Sequence, residues 1–121
     1  MKITKTVYLA GKITGDESYR SKFKTAANML GLAGFAVINP AMLPPEGFEY
    51  AAYLRIGVAM LEECEALCFL SDWQESEGAK AEMKLARRLG KEIFYYDDWL
   101  KKRIRKAHEE AGANGLQYAT Q

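Results

Sequence analysis

The sequence predicts an α/β fold, a three-layer sandwich in which a four- to five-stranded parallel sheet carries helices on both faces. Three observations lead to it. Short β-branched or aromatic runs alternate along the chain with segments of helical periodicity. The helical segments run to a dozen residues or more, the length that a right-handed crossover between parallel strands requires. The run Ala66 to Leu70 is apolar throughout, as expected of a strand covered on both sides.

Each element can be placed in order. Thr6 to Ala10 is the first strand, ended by Gly11. Tyr19, Phe23, Ala26, Ala27 and Leu30 recur at helical spacing, and Gly31 to Gly34 closes that helix. Phe35 to Asn39 is the second strand, stopped by Pro40, and Pro44-Pro45 and Gly47 mark the loop that follows. Tyr53, Ile56, Met60 and Cys64 carry the second helix, and Ala66 to Leu70 forms the third strand. A polar loop, Ser71 to Glu77, precedes a helix from Gly78 to Lys91. Glu92 to Tyr96 is the fourth strand, and Asp97 or Asp98 can cap a last helix reaching about Glu110. The domain is thus expected over residues 1–110, with 111–121 a weakly structured C-terminal tail. This order belongs to the Rossmann-like and flavodoxin-like sandwiches, in which ligands bind beyond the carboxyl ends of the strands.

Composition narrows the class. The chain has 121 residues, enough for one core but not two. A formal net charge of +1 gives no global attraction to nucleic acid or membrane. No apolar run reaches the roughly 20 residues of a membrane span. The first residues lead directly into a strand pattern, which predicts no signal peptide and a cytoplasmic protein. Cys64, Cys68 and a lone His108 are too few for a zinc site, so no metal is expected and both thiols read as buried and reduced. The basic run Lys101 to Lys106 is followed at once by Glu109-Glu110 and reads as a solvated helix face.

Glu82 breaks the pattern. In its helix Lys80, Lys84, Arg87, Arg88 and Lys91 share one side, while Gly78, Ala79, Leu85, Ala86 and Leu89 occupy the other, with Glu82 in their midst. Its neighbours three and four residues away offer no cation, and a carboxylate driven inward needs a partner or a task. A working carboxylate at the floor of a pocket is one reading; an ion pair with a distant Lys or Arg is the other. Tyr8, mid-strand, can set its hydroxyl beside this group or send it to solvent.

The loops at the strand ends suit an anionic ligand. In Gly11-Lys12-Ile13-Thr14-Gly15 the glycines permit close backbone approach and Lys12 can neutralise charge, although a plain tight turn would read the same way. Ser76 is a plausible N-cap, and Gly78 exposes N–H groups at the positive end of a helix dipole. With Asn39-Pro40, these loops are expected to converge on one crevice.

Three stretches together resemble the nucleoside 2-deoxyribosyltransferase-like superfamily, in particular its small phage- and prophage-type members and the 2′-deoxynucleoside 5′-phosphate N-hydrolases. They are Tyr8 to Gly15, Val37 to Ala41 and Trp73 to Glu82, and the likeness covers about Val7 to Tyr96. The resemblance implies an enzyme cleaving the N-glycosidic bond of a 2′-deoxynucleoside 5′-monophosphate or related nucleotide. It implies Glu82 as the nucleophile, Tyr8 as its orienter, and Gly11 and Ile13 lining the base site. Ser76 and Gly78 would grip the 5′-phosphate; Lys12 and Asn39, from their place in the loops at the strand ends, are expected at the substrate as well. It implies no cofactor, and a homodimer or higher homo-oligomer in which Leu116 and Tyr118 can reach a neighbour's pocket.

The chain departs from that pattern in places. Where relatives carry an aspartate in the helix before the third strand, Gly57 stands, and the acid ending that helix is Glu65. Lys12 replaces a frequent proline. A second acid is needed to protonate the leaving base, and Asp72 or Glu75 can supply it from the loop. Without it, the chain would be a catalytically impaired nucleotide-binding module, a sensor or sponge.

Overall fold

In the computed structural model, residues 5–119 are described, with side chains for 5–112. Strands β1 (Thr6–Ala10), β2 (Ala36–Ile38), β3 (Ala66–Phe69) and β4 (Glu92–Tyr95) alternate with helices α1 (Tyr19–Leu32), α2 (Tyr50–Glu63), α3 (Glu77–Arg88) and α4 (Tyr96–Ala119). All strand pairs are parallel, in the order β2-β1-β3-β4. The expected three-layer α/β sandwich is therefore the fold, with four strands.

The pleat divides the core into two layers. Val7, Leu9, Ala66, Cys68 and Leu70 point to one face, where Phe23, Ala26 and Leu30 of α1 and Tyr96 of α4 cover them. Tyr8, Ala10, Leu67 and Phe69 point to the other, under Leu61 and Cys64 at the end of α2 and Met83 and Ala86 of α3. Alternation with period two explains this split, since β1 and β3 are central and both their faces are apolar. Chain order reverses between β1 and β3, so their carboxyl ends form the switch point at which such sheets hold ligands.

Helix ends follow local chemistry. Gly34 (φ +101°) and Gly90 (φ +69°) adopt left-handed conformations just past α1 and α3. The next residue in each case, Phe35 or Lys91, bonds back to Leu30 O or Ala86 O at 3.1 and 3.0 Å. Glu65 and Thr6 exchange bonds at the amino end of the sheet, Glu65 N to Thr6 Oγ1 at 2.9 Å and Thr6 N to Glu65 Oε1 at 3.2 Å.

Several boundaries differ from expectation. A short 3₁₀ turn, Pro40–Met42, follows β2, and another, Trp73–Glu75, fills the loop before α3. The last helix begins at Tyr96, placing Asp97 and Asp98 inside its first turn rather than at the cap. It continues to Ala119, so the boundary expected near Glu110 falls within a helix. Leu116 and Tyr118 lie outside the described side chains. Leu89, assigned to the apolar stripe of α3, is exposed because it ends the helix beyond the covered surface. Both cysteines are free and buried, and burial pushes the Cys68 thiol up to about 12. No helix among the described residues is long and apolar enough to cross a membrane.

Candidate active site

Tyr8 comes from the middle of β1 and turns its ring toward α2 and α3. Only 2% of it is exposed, so its hydroxyl does not reach bulk solvent. It meets Glu82, which projects from the second turn of α3 toward the same layer and makes no ion pair among the described residues. Burial pushes the Glu82 carboxyl up to about 7, against a hydrogen bond with Tyr8 that pulls it down. Burial raises the phenol of Tyr8 as well, and the nearby Glu82 charge adds to that rise. A carboxyl poised near neutrality beside a hydroxyl donor can act as a nucleophile or as a proton carrier.

Gly57 completes this corner from α2. A Cβ built on it would meet only the Tyr8 hydroxyl, at 3.8 Å, an ordinary contact. The corner is therefore open where a side chain would stand. Glu65, in contrast, lies at the opposite end of the sheet, bonded to Thr6.

The α3 start is built as its sequence suggests. Ser76 is extended (φ −120°, ψ 120°), and its Oγ accepts from Ala79 N at 3.1 Å. Gly78 sits in the exposed first turn, and Glu82 lies on the sheet-facing side one turn below. Phe69, Trp73 and Tyr95 form an aromatic wall on this side, with Trp73 5.3 Å from Phe69 and 6.4 Å from Tyr95 between ring centroids.

The first loop and the loop after β3 meet at the switch point. A Cβ on Gly11 would fall 2.9 Å from Leu70 Cδ1 and 3.2 Å from Asp72 Oδ1, so only glycine allows the two strand ends to approach this closely. Asp72 accepts from Lys12 N at 3.0 Å and pairs with the Lys22 ammonium. Lys22 also bonds Asp16 and donates to Lys12 O at 2.9 Å. Burial alone would lower the Lys22 ammonium, but its hydrogen bonds to Asp16 and Asp72 outweigh it, and the net shift is upward. Asp72 is thus a fastening between loops, directed toward α1, whereas Tyr8 and Glu82 occupy the opposite face.

The other expected residues stand as follows. Lys12 Nζ is 3.6 Å from Glu75 Oε1. Ile13 packs on the α1-side core. Asn39 turns its side chain back to accept from Ala41 N at 2.9 Å, capping the turn after β2. Lys22 and Trp73 were not singled out by sequence reasoning. Lys22 looked like any exposed helix cation; its one signal is its place in the turn of α1 that faces the first loop.

The sequence pattern of a family described as a domain of unknown function (DUF4406) matches residues 5–95. No curated protein matches the chain.

Proposed function

The chain belongs to the DUF4406 family, and from the pairing of Tyr8 with Glu82 we propose that it is an N-glycosidase of the nucleoside 2-deoxyribosyltransferase-like kind. Its substrate in this reading is a 2′-deoxynucleoside 5′-monophosphate or a related nucleotide. The observation that carries the proposal is a half-buried carboxyl without an ion pair among the described residues, beside a buried hydroxyl and one turn below a serine-capped helix start.

One Glu82 oxygen attacks the anomeric carbon while the bond to the base breaks. The base leaves with that bond's electron pair and takes up a proton. Water, or a second base in a transferase, then displaces Glu82 from the glycosyl ester and regenerates the carboxylate. Tyr8 holds the carboxylate oriented. The first-turn N–H groups of α3 with Ser76 and Gly78 suit the 5′-phosphate, and Trp73 offers an aromatic surface nearby. The free, buried Cys64 and Cys68 fit a reducing, cytosolic setting.

A second reading is a nucleotide-binding module without turnover. It is favoured by Gly57, which brings no acid to the corner, and by Asp72, which is engaged with Lys22. Incubating the protein with a nucleotide panel and separating released base by chromatography decides between them. Base release that Glu82→Gln abolishes supports the enzyme; thermal stabilisation by nucleotides without release supports the module. Full activity in Glu82→Gln sinks the nucleophile.

A further inference from the structure

The formal charge of +1 conceals a separation of charge along the chain. Ten of the 17 lysines and arginines lie between Lys80 and Lys106, under a quarter of the chain, against four of the 16 acids. Helices α3 and α4 carry these cations, and the two flank β4, the strand at one edge of the sheet. Met83 and Ala86 of α3 cover one face, and Tyr96, Trp99 and Leu100 of α4 pack on the other. The net charge gave no reason to expect nucleic acid, but a local field does not depend on the total.

Helix stability does not account for the pattern. Lys84 and Arg88 lie one turn apart, as do Lys101 and Arg105, and Lys102 and Lys106, and like charges at that spacing repel. Cations in a last turn answer the helix dipole, which accounts for Arg87 and Arg88. Lys101 to Lys106 occupy the second and third turns of a helix that runs to Ala119, too far from its carboxyl end for that role. Among the described residues none of these six side chains pairs with a carboxylate. From Lys101 to Gly112 every residue is exposed, Ile104 by 48%, so this stretch of α4 stands clear of the rest of the described domain.

We propose that the two basic helices form a docking surface for the phosphodiester backbone of a nucleic acid, which lies along the β4 edge and is held without regard to base sequence. Exposed ammonium and guanidinium groups on two rigid helices suit successive phosphates, and such contacts position a strand without reading it. A membrane surface fits less well, because an interfacial helix needs a broad apolar face. Here Trp99 and Leu100 are already packed on the sheet, and Ile104 alone stands among the cations. A protein partner fits less well too, since the centre of such an interface is poor in lysine and built on apolar anchors. Both helices run back from the carboxyl ends of the strands, so Arg88 and Lys106 lie toward the amino end of the sheet. The bound strand is therefore held away from the loop crevice and is not the substrate of the reaction proposed above.

Fluorescence anisotropy of short labelled nucleic acids of mixed sequence, titrated with the full chain, tests this. A DNA duplex, the corresponding single strand and an RNA duplex share the backbone chemistry, and the tightest of the three identifies the source. Binding through about six phosphates should weaken roughly a thousandfold between about 50 and 200 mM salt. Lys102→Gln with Lys106→Gln, and Lys84→Gln with Arg88→Gln, should each keep the helical circular dichroism and lower the salt slope by about two. No binding to any of the three at low salt overturns the proposal, as does binding that both double variants leave unchanged. A loss confined to the α4 pair overturns the shared surface. Binding to anionic lipid vesicles in place of nucleic acid overturns it in favour of a membrane surface. Glu82→Gln should bind nucleic acid as the wild type does, and neither double variant should change thermal stabilisation by mononucleotides. The surface and the proposed reaction therefore stand or fall separately.

Discussion

Tyr8 on a central strand and Glu82 on the helix above it share one desolvated environment, and each shifts the other's titration. Their pairing gives a definite pH dependence. Glu82 must be ionised to attack, and it is half ionised at about pH 7. Base release should therefore rise through pH 7 and level off above it. Tyr8→Phe removes the bond that pulls the carboxyl down, so the inflection should move upward. The neutral-pH rate should then fall about tenfold or more. A pH–rate profile of both proteins checks this; a profile flat from acid to alkali would falsify the assignment.

The same raised carboxyl makes the fold depend on pH. A group that holds its proton more tightly when folded stabilises the protein below its unfolded value of 4.5, and that stability is lost as pH rises to about 7. The full shift corresponds to about 3 kcal/mol, and the partial exposure of Glu82 reduces it to roughly 1–3 kcal/mol. Glu82→Gln cannot ionise, so it should be more stable than wild type above pH 7 and no more stable at pH 4. Denaturant titrations at both pH values measure the difference. A variant weaker than wild type at pH 8 would show that the carboxylate is paired after all.

Glu82 was legible in the sequence because charge on an apolar helical face violates periodicity, and the Ser76 cap was legible from residue type and spacing. The layers were legible too, since β1 and β3 alternate two apolar faces. What a single chain hides is which polar residues meet across the sheet. Asp72 is sixty residues from Lys12, and the partners differ in face rather than in motif. Gly57 stood out only through the resemblance, as a missing aspartate; that it leaves room beside the Tyr8 hydroxyl is visible only in the fold.

That opening beside Tyr8 can be filled. A Cβ at Gly57 has room, so Gly57→Asp should fold with little loss, and replacing a mid-helix glycine offsets part of any strain. A second carboxylate near Glu82 disfavours its ionisation, so the inflection near pH 7 should move upward. If a missing acid limits protonation of the leaving base, base release above that inflection should increase. If turnover is unchanged and only the inflection moves, leaving-group protonation was not limiting.

Asp72 separates fastening from catalysis. Its carboxylate holds Lys12 N–H and the Lys22 ammonium, tying the first loop to the end of β3. Asp72→Ala leaves a part-buried ammonium with Asp16 as its remaining carboxylate and Lys12 N–H without its acceptor, a loss of about 1–3 kcal/mol. Thermal unfolding should show that loss. The pH inflection of base release should stay near 7, because Asp72 faces α1 and Glu82 lies across the sheet. Asp72→Asn keeps an acceptor for Lys12 N–H, so it should retain most of the stability and most of the activity. If Asp72→Asn instead silences base release in a protein of wild-type stability, the aspartate is the proton donor and the loop must move to bring it to the crevice.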